Sequence, residues 1–136
     1  MSLPSLGYES CKPFTGLNDG DMAYVCRCYD GDTATLAWID KSGEKVRIGC
    51  RIDDIDTPEM KSFSEHERNL ATLAKKRLSD AILGGHVAIL NPGCGKFGRL
   101  LCDLDTPEIP SIKDYMLADS SVCKPYSGGT ISSWNW

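Results

Sequence analysis

The chain has 136 residues, a hydrophobic content of 41% and a formal net charge of −4, which are the values of one globular domain long enough to bury a core. No apolar run reaches the roughly 18 residues of a membrane helix, and the start lacks a basic and apolar leader, so we expect neither a membrane span nor an exported precursor. Seven cysteines without a Cys-x-x-Cys pair favour reduced, mostly buried thiols and an intracellular, cytoplasmic location.

The first half of the chain predicts an irregular lead-in and three antiparallel strands. Residues 1–21 are rich in Pro and Gly and form the lead-in. Strict alternation along the first strand predicts that Cys26 and Cys28 lie on one face, where a zinc half-site is conceivable. The pair Asp30-Gly31 predicts a hairpin turn. The three predicted strands are Met22–Tyr29, Thr33–Ile39 and Lys45–Arg51.

The second half predicts a long helix, two strands and a short helix. Ser64 and Glu67 have the spacing of a capping box, and apolar residues keep helical spacing from there to a stop at Gly84-Gly85. Beyond residue 126 the chain appears as a loose tail. The later elements are a strand over His86–Leu90, a glycine-rich loop over 91–95, a strand over Phe97–Leu104 and a helix from Ser111 to about Ala118. This order predicts an α+β, mainly β fold, a five-stranded OB-type barrel with two to three helices.

Two short motifs carry the chemistry. The first is Asp30-Gly31-Asp32-Thr33, and the second is Asp56-Thr57-Pro58-Glu59, which follows Arg51 by five residues. Clustered carboxylates suit hard divalent cations such as Ca²⁺, and a guanidinium fork matches the oxygens of a phosphate. A metal, an arginine and a spare carboxylate together indicate hydrolysis of a phosphodiester.

A second copy of the Asp-Thr-Pro-Glu motif occurs at residues 105–108. It lacks an arginine five residues before its aspartate, where Leu100 stands instead. We therefore interpret this copy as the turn after the fifth strand.

Further motifs follow in order: Lys96-Phe97-Gly98-Arg99-Leu100, then Ser111-Ile112 with Met116-Leu117, then Lys124-Pro125-Tyr126-Ser127-Gly128-Gly129. With these pieces in place, the chain resembles the staphylococcal nuclease (thermonuclease-like) family over residues 22–130, which leaves 131–136 as a C-terminal tail. The resemblance implies an OB-fold barrel and Ca²⁺-dependent cleavage of DNA and/or RNA. It implies attack by water and departure of the 5′-oxygen, leaving 3′-phosphate ends.

The resemblance also assigns roles to residues of this chain. It implies Ca²⁺ ligation by Asp32, Asp56 and the Thr57 backbone carbonyl. Glu59 becomes the general base, while Arg51 and Arg99 clamp the phosphate. The nucleotide-binding positions are Lys96, Phe97, Lys124 and Tyr126. Phe97 stands where the family commonly has tyrosine, and Lys124 replaces one of two tyrosines of the nucleotide pocket.

The acidic net charge and the extra Asp53 and Asp54 predict poor affinity for long polymers. We therefore expect a monomer that acts on single-stranded or unpaired nucleic acid, with Phe97 and Tyr126 stacking on bases or sugars. The alternative is a non-catalytic nuclease-like domain that binds nucleic acid or protein. Retention of the whole metal, base and arginine set favours the enzyme. A zinc or disulfide-exchange protein is opposed by the cysteine spacings.

Overall fold

Alternating apolar residues build a closed five-stranded barrel. The computed structural model describes residues 17–95, 98–126 and 134 of the chain. The elements are β1 Met22–Cys28, β2 Thr33–Ile39, β3 Lys45–Ile52, β4 Ile55–Asp56, α1 Glu65–Ile82, β5 His86–Cys94, β6 Leu100–Asp105, α2 Ile112–Leu117 and β7 Lys124–Pro125. The barrel order is β1-β2-β3-β6-β5, closed by β1 on β5. Among the described strands, only β3 and β6 pair in parallel. With its two helices, the described part of the chain forms the predicted OB-like α+β fold.

The inward-facing residues of the strands and one stripe of α1 form the core. The helix buries Ala71, Ala74, Leu78 and Ile82, at the three- and four-residue spacing that places them on one face. Each fully buried large aliphatic side chain contributes on the order of 1.5–3 kcal/mol relative to exposure. Neither helix in the described ranges combines the length and the apolarity that crossing a bilayer requires.

The predicted shared face of Cys26 and Cys28 is wrong. The β1–β2 register shifts between Val25 and Arg27, so one inserted residue reverses the alternation beyond it. As a result Cys26 is exposed while Cys28 is buried. The two thiols therefore do not converge on a metal. Cys50, Cys102 and Cys123 are buried and Cys94 is exposed, all of them free thiols.

The fourth predicted strand is longer than expected. It runs to Cys94 as β5, through residues that the sequence assigned to a glycine-rich loop. A bulge between Leu90 and Gly93, with Asn91 at a φ of 52°, accommodates Pro92, which has no N–H to give to the ladder. The next strand begins at Leu100 rather than Phe97, and residues 96–97 lie outside the described ranges.

A short two-stranded sheet was not predicted. β4 pairs antiparallel with β7, so that Asp56 lies opposite Lys124 and Ile55 opposite Pro125. Strands of two residues are too short to show an alternating pattern. The pairing ties the C-terminal part of the chain to the second carboxylate motif.

Candidate active site

The two carboxylate motifs converge on one cleft of about 760 Å³ at the mouth of the barrel. Seven of the residues to which the sequence assigns roles line it: Asp32, Arg51, Asp56, Thr57, Glu59, Arg99 and Tyr126. They come from the β1–β2 loop, β3, β4 with the segment after it, the residue before β6 and the residue after β7. Residues more than 90 positions apart in sequence thus line the same cleft.

Asp32 is buried in the floor of the cleft, with 8% of its surface exposed. Its carboxylate accepts a hydrogen bond from Thr33 Oγ1 at 3.0 Å and lies 3.4 Å from Arg51 Nη2. Burial, and next the adjacent Asp30 carboxylate, raise the pKa of Asp32 to about 7, although Arg51 and Thr33 oppose the shift. Arg51 and Thr33 therefore stabilise the ionised carboxylate of Asp32 less than burial and Asp30 destabilise it.

Gly31 allows the Asp32 loop to approach the rest of the site. Gly31 does not take a left-handed φ. A left-handed φ is the reason that Asp-Gly is common in two-residue hairpin turns, so glycine is needed here for a different reason. A Cβ at this position would lie 2.6 Å from Ala74 Cβ and 3.0 Å from Thr57 Cγ2. The loop, α1 and the second motif therefore meet at a point with room only for glycine.

Arg51 is fixed by two backbone carbonyls and one carboxylate. Nη1 donates to the Ile52 carbonyl at 3.2 Å and Nη2 to the Ile55 carbonyl at 2.9 Å, in addition to its ion pair with Asp32. The guanidinium carbon lies 5.5 Å from the centre of the Tyr126 ring, within the range of a cation–π contact. These contacts hold the guanidinium in one orientation beside the cleft.

Asp56 and Thr57 are buried, with 5% and 3% exposed, whereas Glu59 is exposed at the cleft edge. Partial burial, followed by the charges of Asp30, Asp56 and Glu67, raises the pKa of Glu59, and Arg51 opposes this. A carboxyl whose pKa is shifted upward is better suited to accept a proton near neutral pH. Residues 56–59 thus offer two buried residues with oxygen atoms able to ligate a cation, and one accessible carboxylate.

Arg99 lines the cleft just before β6, after Gly98 at a φ of 74°. Its carbonyl accepts a hydrogen bond from the Gly95 N–H at 2.7 Å. Its Nε is buried and makes no hydrogen bond within the described part of the chain. A buried donor without a partner is uncommon, and a phosphate oxygen is an acceptor that an arginine binds well.

The predicted nucleotide-binding residues differ in where they lie. Tyr126 lines the cleft, and its N–H donates to the Asp54 carbonyl at 2.9 Å. Lys124 is not among the lining residues, and its ammonium lies 4.5 Å from the centre of the buried Trp134 ring. Lys96 and Phe97 fall outside the described residues. At least one residue of the predicted loose tail, Trp134, is therefore packed against the domain.

The second motif copy stays away from the cleft. Thr106 and Ile109 bond each other's backbone groups, at 2.9 and 3.2 Å, which closes a turn directly after β6. Glu108 is exposed and does not line the cleft. The interpretation of this copy as a turn is confirmed.

The sequence did not single out Asp30 as a functional residue. Its Oδ1 accepts a hydrogen bond from the Asp32 N–H at 3.1 Å, and it lines the cleft with Tyr29, Asp53 and Asp54. The two-residue spacing of an Asx turn could have revealed this contact. Six carboxylates thus face two guanidinium groups: Asp30, Asp32, Asp53, Asp54, Asp56 and Glu59 against Arg51 and Arg99.

Protein side chains alone do not enclose a metal in the described ranges, where no three His, Cys, Asp or Glu groups are arranged to hold an ion. A cation here would need carbonyl, water or substrate oxygens besides Asp32 and Asp56, which Ca²⁺ accepts readily. A scan against protein-family models and a search of curated proteins both find nothing that matches this chain, so its function is inferred from the cleft itself.

Proposed function

We propose that this protein is a Ca²⁺-dependent nuclease of the staphylococcal nuclease type. It hydrolyses phosphodiester bonds of DNA and/or RNA and leaves 3′-phosphate ends. The observation that carries the proposal is the convergence of Asp32, Asp56, Glu59, Arg51 and Arg99 on one cleft. The OB-like barrel and the order of the motifs along the chain support it.

The residues of the cleft fit a hard cation. Asp32 is buried, and its pKa is raised to about 7 by burial and by Asp30, so its ionised form requires more positive charge than Arg51 supplies. Asp32, Asp56 and the Thr57 carbonyl would hold the ion. When bound, Ca²⁺ polarises a phosphoryl oxygen and offsets the negative charge that develops on it.

The two arginines bind the scissile phosphate from neighbouring strands, Arg51 on β3 and Arg99 just before β6. Arg51 is held in place by the Ile52 and Ile55 carbonyls, so its guanidinium needs little reorganisation when the phosphate gains charge. Arg99 contributes the buried Nε that has no partner in the described chain. Together they stabilise the pentacoordinate phosphorus, whose extra charge is greatest in the transition state.

Glu59 accepts a proton from the attacking water. Its carboxylate is accessible at the cleft edge, and its raised pKa improves the match between base and water at neutral pH. The water oxygen bonds to phosphorus as the P–O5′ bond breaks on the opposite side, the departing 5′-oxygen takes a proton from solvent, and the 3′-oxygen keeps the phosphate.

The charge of the cleft limits its substrates. Six carboxylates around two guanidinium groups repel neighbouring phosphates of a long duplex, and a bound cation offsets only part of that charge. We therefore propose single-stranded or unpaired DNA or RNA as the substrate, with Tyr126 stacking on an exposed base or sugar. Lys124 lies over Trp134 rather than in the cleft, and we assign it no phosphate contact.

The same charge balance disfavours a non-catalytic domain that binds nucleic acid. Binding of phosphates without chemistry favours a basic surface, whereas this cleft is acidic. A buried carboxylate such as Asp32 also reduces stability when it is ionised, because burial and the Asp30 charge outweigh its contacts with Arg51 and Thr33.

The test is digestion of single-stranded DNA and of RNA with Ca²⁺ by the parent, Glu59→Gln and Glu108→Gln. Loss of the base should lower turnover about 10²–10⁴-fold, while Glu108→Gln, in the second motif copy, should match the parent. An inactive parent, or equal losses in the two variants, would overturn the proposed function.

A further inference from the structure

The first turn of α1 reaches back to the segment that carries Glu59. Glu67 Oε2 accepts a hydrogen bond from the Glu59 backbone N–H at 2.8 Å. In a capping box this carboxylate would bond the N–H of the helix N-cap residue. Here the Ser64 N–H donates to Ser62 Oγ at 3.1 Å instead. Ser64 Oγ and the Glu67 N–H form one half of the capping box at 3.2 Å, and the Glu67 carboxylate bonds a residue of the cleft.

The other backbone group of Glu59 is also held. Its carbonyl accepts a hydrogen bond from the Ser62 N–H at 3.3 Å. The Ser62 carbonyl in turn accepts one from Arg68 Nη1 at 2.7 Å, so the turn between Glu59 and α1 is fastened to the helix at two points. Glu59 itself is exposed, and packing therefore does little to fix it. Its position depends on these hydrogen bonds.

We propose that Glu67 is a positioning residue that fixes the Glu59 backbone against the first turn of α1. The inference rests on the proposed function, in which Glu59 takes a proton from water. The contact is a charge-assisted hydrogen bond, which is stronger than a neutral one. Glu67 does not line the cleft, so it acts only through Glu59. Loss of such a supporting group typically reduces activity about 10- to 100-fold.

Three variants separate this role from a general effect on the helix. Glu67→Ala removes both the acceptor and a negative charge from the first turn. Glu67→Gln keeps an acceptor oxygen and removes only the charge. Glu65→Ala removes the same charge from the same turn and serves as the matched control, because charge at a helix N-terminus is itself stabilising.

The experiment measures kcat and KM with Ca²⁺ on a single-stranded oligonucleotide, and hydrogen exchange at the Glu59 amide. We expect Glu67→Ala to lower kcat about 10- to 100-fold with KM near the parent's, and to lose protection of the Glu59 amide. Glu67→Gln should retain most of both, and Glu65→Ala should resemble the parent.

Parental kcat in Glu67→Ala, unchanged amide protection, or equal losses in Glu65→Ala would each overturn the proposal. A parent without turnover would instead overturn the proposed function and with it the catalytic part of this inference. In that case the amide exchange still decides whether Glu67 holds Glu59, so the two failures are distinguishable.

Discussion

Gly31→Ala tests whether the close approach of the Asp32 loop to α1 sets the geometry of the cleft. The added Cβ would lie 2.6 Å from Ala74 Cβ, whereas non-bonded carbons settle at about 3.5–4.0 Å. The loop must therefore retreat by about 1 Å, because Ala74 Cβ is attached directly to a helix backbone. Overpacking of this kind costs about 1–3 kcal/mol, and a 1 Å misplacement of a catalytic group costs about 10²-fold in rate.

We expect Gly31→Ala to fold with a Tm lower by about 3–10 °C and to lose about 10² in kcat. The double variant Gly31→Ala/Ala74→Gly removes the Ala74 Cβ that the new methyl group would overlap, and it should recover part of the turnover. Ala74→Gly alone should cost about 1 kcal/mol of stability, as glycine does within a helix. Gly85→Ala is the control, since its Cβ would meet the Ile82 carbonyl oxygen at an ordinary 3.5 Å.

The measurements are thermal unfolding by circular dichroism and Ca²⁺-dependent cleavage of a single-stranded oligonucleotide. Parental turnover in Gly31→Ala would refute the role assigned to this contact. So would a double variant no more active than Gly31→Ala, because the loss would then not come from Ala74.

Three further changes probe the charges of the cleft. Arg51→Lys should lower turnover about 10²–10³-fold, since an ammonium lacks the two-point fork, and full activity in cleavage assays would refute the clamp. In chelator, the free energy of unfolding should fall as pH rises from about 4 to about 7. The folded pKa of Asp32 lies above its unfolded value of 3.8. Between the two values the folded state therefore holds a proton that the unfolded state has lost. Asp32→Asn should remove most of this loss, which is on the order of 4 kcal/mol, and an unchanged pH dependence of chemical unfolding would contradict it. Asp53→Asn should raise cleavage of long single strands at low salt more than at high salt, and equal effects along a salt series would show that its charge does not repel substrate.

Much of the fold follows from periodicity. The helical spacing behind Ser64 and the alternation of Thr33–Ile39 depend on residues close in sequence, and both predictions agree with α1 and β2. Two of the deviations come from single inserted residues. One bulge after Val25 puts Cys26 and Cys28 on opposite faces, and another carries β5 past Pro92. Neither insertion leaves a signal in an alternating pattern.

The sequence assigned residues to the candidate site but not the contacts that support them. The resemblance, which depends on motifs within short segments of chain, implies that Asp32 and Glu59 belong to one site. Glycine is required at position 31 by the contact with Ala74, 43 positions away. The Glu67 carboxylate bonds the Glu59 N–H, whereas a capping box would have it bond the N-cap residue. Such tertiary contacts have no local sequence signature.

The most direct test of the central claim is the metal dependence and end chemistry of cleavage. A 5′-labelled single-stranded oligonucleotide is incubated with the protein in Ca²⁺, in Mg²⁺ and in Ca²⁺ with excess chelator, and the product ends are probed with a 3′-phosphatase. We predict cleavage with Ca²⁺, little with Mg²⁺, none in chelator, and fragments that the phosphatase converts to 3′-hydroxyl ends. Undiminished cleavage in excess chelator, or no cleavage with Ca²⁺, would contradict the assignment of this cleft as a Ca²⁺-dependent nuclease site.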